Sequence, residues 1–287
     1  MIRKKIGIST ECTCDLPRQF INQYNIEILY FFITTEKGRF KDTDEITSEN
    51  ILEYMSGGGK KSLSAPPSPD EYITRFTHML DEYDEVIHIA ISSGISLSCS
   101  NAQQAINEMG ELGKRVHLID SHHLSTGMGH IVREAVFMRE KGCSTDEILA
   151  RIEEMKAQVS TSFISMNADY LYRNGKVSKT VQVVCSLFNI RPVLTMKNGV
   201  LKLKTIKIGS YDKACRSYVR DELKKNDAID KSQLYITHAG CSIKTINMVK
   251  AEISKYCKFD RIDVTKASAT ISSNCGPNTC GLLFVRK

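Results

Sequence analysis

Ile89-Ala90-Ile91-Ser92-Ser93-Gly94-Ile95-Ser96-Leu97-Ser98-Cys99-Ser100-Asn101-Ala102 is the stretch on which the fold turns. Its apolar start, with the residues before it from Glu85, reads as a strand of a buried, mostly parallel sheet. A serine-rich loop follows, and then a helical stretch around Gln103–Glu111. In an open α/β sheet, ligands bind at the carboxyl ends of the strands. A helix N-terminus at such a place presents free backbone N–H groups to an anion. Hydroxyls beside it are neutral donors, which suits a carboxylate or a phosphate. Serines also cap helices and satisfy turns, and one or two would mean no more than that. Five between 92 and 100 favour a site.

Outward from this stretch, short apolar runs alternate with helical patterns. Strands are expected at Lys5–Ser9, Ile26–Phe32, Glu85–Ser92, Arg115–Asp120, Thr161–Met166, Gln233–His238 and Gly281–Val285. Ser68-Pro69-Asp70-Glu71 supplies an N-cap, a first-turn proline and a capping-box glutamate, opening a helix to about Glu82. Ser144-Thr145-Asp146-Glu147 opens another, with Ile148, Leu149, Ile152 and Met155 on one face. Residues 127–142, 210–225 and 242–256 have the same amphipathic spacing. The alternation predicts an α/β chain with mostly parallel strands covered by helices. It weakens after Ser160, where a polar, glycine-bearing segment (168–179) precedes the hairpin signal Lys197-Asn198-Gly199. Two domains are therefore expected, 1–159 and 160–287, the second α+β.

A chain of 287 residues with 41% apolar and 25% charged residues is an ordinary globular composition. The net charge of +6 comes from lysines spread along the chain without interleaved aromatics, so a nucleic-acid partner is not expected. Ten cysteines show no paired CxxC, and Met1–Thr10 reads as a first strand rather than a signal peptide. Reduced thiols and a cytoplasmic location follow as expectations. The most apolar stretch, Val181–Leu194, is broken by Ser186, Asn189, Arg191 and Pro192, and no integral membrane segment is expected.

Two other loops could reach the same crevice. Ser62–Pro69 is stiffened by prolines and carries Ser64; Ile119-Asp120-Ser121-His122-His123 ends a strand with adjacent histidines that point different ways, which disfavours a metal pair. Catalytic signatures are weak. Gly94-Ile95-Ser96-Leu97-Ser98 lacks the last glycine of a nucleophile elbow. Neither Cys12-Thr13-Cys14 nor Cys275…Cys280 has zinc-finger spacing, and no P-loop or dinucleotide fingerprint is present.

The motifs together resemble the DegV family over nearly the whole chain. Ile8–Pro17 resembles the family's opening, with Glu11-Cys12 where aspartate-serine usually stands. Ser64 falls at the threonine of its Thr-Ser-x-Pro-Ser loop, and Ile91–Ser98 resembles Ser-Ser-x-Leu-Ser-Gly-Thr. Val116–Ser121 with Gly127 and Gly129, Tyr170–Ser178, Ile190–Leu194 with Asn198-Gly199, and Cys275-Gly276-Pro277-Asn278 follow in order. The resemblance implies a two-domain fold with a ligand channel between the domains, and a monomeric, non-enzymatic carrier. Such a carrier holds one long-chain fatty acid, such as palmitate, stearate or oleate, with no other cofactor and no metal. It presents the carboxylate to a separate ATP-dependent fatty acid kinase subunit. The implied ligand-binding set is Ser64, Ser93, Gly94, Ser96, Ser98, Lys176 and Asn274. Lys176 stands in place of an arginine, Asn274 of a histidine, Ala65 of a serine and Leu97 of a glycine, so the head-group site is more neutral than the family's usual one. The competing expectation is an enzyme acting on a small anionic or acyl substrate, with Ser96 as nucleophile and His238 as base. A third is an interaction protein with a vestigial channel.

Overall fold

The computed structural model describes residues 5–59, 62–166, 169–173, 179, 189–224 and 228–287. From the N-terminus, β1 (Ile6–Glu11), α1 (Arg18–Gln23) and β2 (Glu27–Leu29) lead into the hairpin β3 (Phe32–Thr35) and β4 (Gly38–Lys41). Then come α2 (Ser48–Ser56), β5 (Leu63–Ala65), α3 (Pro69–Glu82), β6 (Glu85–Ala90), α4 (Ser98–Glu108), β7 (Val116–Asp120), α5 (Ser125–Lys141) and α6 (Thr145–Gln158). The remainder is β8 (Val159–Ile164), α7 (Asp169–Arg173), β9 (Ile190–Lys197), β10 (Val200–Ile208), α8 (Tyr211–Leu223), β11 (Ile229–Ala239), α9 (Ile243–Ile253), β12 (Arg261–Lys266), α10 (Ala269–Cys275) and β13 (Thr279–Arg286).

Among the described residues the strands form three sheets. The first, in order β2-β1-β6-β7, is wholly parallel. All six residues of β1 and the last five of β6 are buried, as strands covered on both faces must be. Tyr72, Phe76 and Met79 of α3, with Ala102 and Ala105 of α4, pack with Leu29, Val86 and Val116 of the sheet in one core. Another core joins Ile8, Ile87, Ile89 and Ile119 to α5 and α6. The second sheet, β10-β9-β8-β13-β11-β12, is mixed: β11 and β12 are parallel and the other pairs antiparallel. Along β13 the two-residue period sends Cys280, Leu282 and Phe284 toward α8 and α9, and Leu283 and Val285 toward α5. Helix α5 touches strands of both sheets and is buried continuously from Ser125 to Val132, so it is the layer the two share.

The local signals act as read. Ser68 and Glu71 bond reciprocally at the start of α3, with Pro69 at its first position, and Ser144 and Glu147 do the same for α6. Asn198 and Gly199 both have positive φ (51° and 74°) at the β9–β10 turn, the backbone that an Asn-Gly hairpin requires. Three expectations are corrected. The Ile26–Phe32 run is split between β2 and β3, because Tyr30 and Phe31 lead the chain into a different sheet. The proline-rich 62–69 segment begins as strand β5, pairing Ser64 with Ile33. The segment around Asn274, a closing loop by the resemblance to the family, is helical, because Ser268 caps Ile271 N–H. Val181–Leu194 lies largely outside the described residues; its end, Ile190–Leu194, opens β9.

The third sheet, β4-β3-β5, and α2 lie early in the chain but share a core with its second half. Ile33, Ile51, Leu52 and Met55 pack with Phe163, Leu194, Ala239 and Cys275. Residue 159 opens β8, the first strand of the six-stranded sheet.

Candidate ligand site

The turn after β6 is built on a buried carboxylate. Glu11, at the end of β1 and fully buried, accepts Ile91 N–H (2.8 Å), Tyr72 O–H (2.7 Å) and the hydroxyl of Ser98. A buried ion needs such donors, and here they tie the end of β6 and the start of α4 to one point. Inside the turn, Ile95 N–H and Ser96 N–H donate to Ser92 O at 3.1 and 3.2 Å. Ser93 N–H donates to Asp120 at 3.3 Å. Helix α4 then starts from Leu97 with no side-chain cap, whereas α2, α3 and α6 each carry a capping box.

Opposite this turn stand β5 and α10. Two buried aspartates organise the N-terminus of α10. Asp42 accepts Ala269 N–H and Thr270 N–H, both at 2.8 Å, and Asp15 accepts Ser268 N–H at 2.8 Å and the Ser125 hydroxyl at 2.5 Å. Burial raises both carboxyls, Asp15 to about 8. That helix end is therefore already supplied with acceptors. The part of α10 that meets β5 is its last turn, where Asn274 Nδ2 donates to Ser64 Oγ at 3.3 Å and to Thr270 O at 2.8 Å.

These elements enclose a cavity of about 500 Å³. Ser64, Ser93, Gly94, Ser96 and Asn274 line it; its apolar wall includes Phe31, Ile91, Ile95, Phe163, Leu201 and Leu283. Several lining hydroxyls are turned into internal bonds: Ser125 to Asp15, Ser162 with Tyr218, and Thr237 with Thr126 and Thr265. His238 also lines it, its pKa lowered by burial and secondarily by Lys266, and its Nδ1 accepts Cys241 N–H at 3.2 Å. Lysine and arginine are absent from the described lining. The site combines a long apolar wall with a cluster of neutral donors, which is a complement to an alkyl chain carrying one polar end.

The chain matches the family model described as "Uncharacterised protein, DegV family" over residues 5–287. The chain belongs to the DegV family. A DegV domain-containing protein of Caldanaerobacter subterraneus subsp. tengcongensis is 27% identical over 99% of this chain and 100% of its own. Two solved structures share the fold. One is a DegV family protein from Thermus thermophilus described by its fatty acid binding, with TM-score 0.88 and 23% identity over 99% of this chain and 100% of that one. The other is the Streptococcus pneumoniae Fatty Acid Kinase (Fak) B3 protein loaded with linoleic acid, with TM-score 0.84 and 21% identity over 99% and 100%.

In this DegV chain the structure gathers five of the seven expected ligand residues, Ser64, Ser93, Gly94, Ser96 and Asn274, around one cavity. Ser98 is a correction. Its hydroxyl is fully buried and given to Glu11, because helix α4 turns that face inward. Lys176 lies outside the described residues. Ser96 and His238 line the same cavity, but Ser96 Oγ accepts Ser98 N–H at 3.2 Å, and among the described residues no hydrogen bond joins it to the histidine. The paired histidines diverge, His122 at the surface and His123 buried on Thr161 Oγ1 and Lys156 O, both at 2.9 Å. Described His, Cys, Asp and Glu residues form no cluster able to hold a metal, and no described helix is long and apolar enough to cross a membrane. Sequence reasoning missed Asp42 and the anchoring role of Glu11. Glu11 had a usable signal, an acid at a strand end; Asp42 had none, since its partners lie 227 and 228 residues away.

Proposed function

We propose that this protein is a cytoplasmic, monomeric carrier that buries one long-chain fatty acid and performs no chemistry itself. The acid's carboxylate lies against Ser64, Ser93, Gly94, Ser96 and Asn274, and its tail runs along the apolar wall. The observation that carries this reading is the pairing of Asn274 with Ser64 at the mouth of an apolar-walled cavity. Each buried CH₂ contributes about 0.8 kcal/mol, so a long tail supplies most of the affinity. The carboxylate then needs donors, because an unpaired buried charge is costly. The mouth offers the hydroxyls of Ser64, Ser93 and Ser96, with Asn274 Nδ2 donating to Ser64 Oγ. The fatty acid binding described for one structural relative and the linoleic acid held by the other support the same reading.

A separate ATP-dependent kinase would complete the cycle: a carboxylate oxygen attacks the γ-phosphorus of ATP, ADP leaves, and an acyl phosphate remains on the carrier. Its access is through the mouth, where Ser64, Ser93 and Gly94 are exposed. Solvent extraction and mass spectrometry of the purified protein test the reading. A C16–C18 fatty acid at about one per chain is expected for a pocket of this size. Recovery of no acyl chain, with no thermal shift on adding palmitate or oleate, would refute it.

A further inference from the structure

The turn that carries Ser93 and Ser96 is also held by the tip of the β9–β10 hairpin, which belongs to the other large sheet. Ser92 is fully buried, and every polar atom it has is used: its N–H on His123 O at 2.9 Å, its carbonyl by Ile95 and Ser96, and its hydroxyl on Gly199 O at 2.6 Å. Gly94 faces the same carbonyl. A Cβ there would stand 2.3 Å from Gly199 O and 2.9 Å from Val200 Cγ1, so only glycine admits so close an approach. On the hairpin side, Gly199 has φ +74°, and a Cβ on it would sit 3.1 Å from Ser92 Oγ. Glu11 and Asp120 fix the turn from its own sheet; the hairpin contact fixes it from the second sheet.

We propose that the Asn198-Gly199 tip is a clasp that presets the Ser93–Ser96 turn for a carboxylate, with Ser92 and Gly94 as positioning residues. The inference rests on the acid-binding reading and adds that head-group geometry is set by the second sheet. Loosening the clasp leaves the apolar wall in place, so it weakens recognition of the acid while sparing the tail.

The test uses the full chain stripped of lipid, titrated with oleate and with oleyl alcohol, which has the same tail. Wild type binds oleate more tightly than the alcohol. Ser92→Ala lowers oleate affinity about tenfold, as expected when a buried hydrogen bond is lost and its carbonyl orphaned. Alcohol affinity stays within about twofold. Ser242→Ala, which removes the α9 cap on Thr245 N–H, destabilises the chain without moving the ratio of the two affinities. Should Ser92→Ala not fold, Asn198→Ala strains the tip at φ +51° without touching the turn and carries the same expectation. A wild type that prefers oleate, beside variants with an unchanged ratio, overturns the clasp alone. A wild type that takes up neither ligand removes the acid-binding reading, and the clasp falls with it.

Discussion

His123 and His130 are held neutral by burial, their pKa pushed down to about 4. Unfolding lets them take up protons below their ordinary value of about 6.5. Stability is therefore lost as pH falls from 6.5 toward 4. Asp15 works in the opposite direction. Burial pushes its carboxyl up to about 8, so the folded chain keeps a proton that the unfolded chain has released. Its contribution is fully present below the ordinary carboxylate range and is lost as pH rises through 8. Below 6.5 two histidines outweigh one aspartate; above it the aspartate acts alone. Taken together these three groups place maximal stability near pH 6.5. Asp15→Asn should remove the decline between pH 6.5 and 8 and steepen the acid limb, where the aspartate no longer offsets the histidines. Urea midpoints measured between pH 4.5 and 9 would check both limbs, and an unchanged alkaline limb would contradict the role given to Asp15.

Elements are positioned here by a few buried polar anchors as much as by apolar faces. Glu11 joins β1 to the end of β6, to α3 through Tyr72 and to α4 through Ser98. Removing it leaves Ile91 N–H and one of the Tyr72 and Ser98 hydroxyls without an acceptor, since those two hydroxyls can still bond each other at 2.8 Å. Glu11→Ala should cost on the order of 3–5 kcal/mol, measurable by denaturant unfolding, with Glu11→Gln costing less because one oxygen remains. Among the elements, those with start signals inside one turn of sequence were legible: α3, α6 and the Asn198-Gly199 hairpin. Strand β5 was not. Its three exposed residues, Leu63–Ala65, are strand because β3 is there to pair with them. The same holds for α10, which is short and takes its acceptors from Asp42 and Asp15.

At the scale of the whole molecule, two large sheets share α5, and the cavity opens where the ends of β6 and β11 face α10. The apolar wall leads to a graded expectation. From laurate to palmitate, each added CH₂ should strengthen binding by about 0.8 kcal/mol, near fourfold per carbon, and the gain should stop when the cavity is filled. Titration of the delipidated chain with C10 to C20 acids measures this. A flat series would mean that the tail does not lie on the wall.

The fold class, the capped helices, the hairpin turn and the serine-rich turn Ser92–Ser98 were determined by the sequence alone. Buried strands, capping boxes and Asn-Gly turns act between residues a few positions apart. Tertiary structure alone decided which serines face the cavity. Ser96 and Ser98 are two residues apart in one motif, yet the first lines the cavity and the second is given to Glu11, because the start of α4 turns their hydroxyls to different sides. Ser64 and Asn274 meet across 210 residues, since strand β5 must pair with β3 and α10 must dock on two aspartates before their side chains can touch. Contacts of that kind depend on which buried faces pair, and no local pattern of residues encodes that choice.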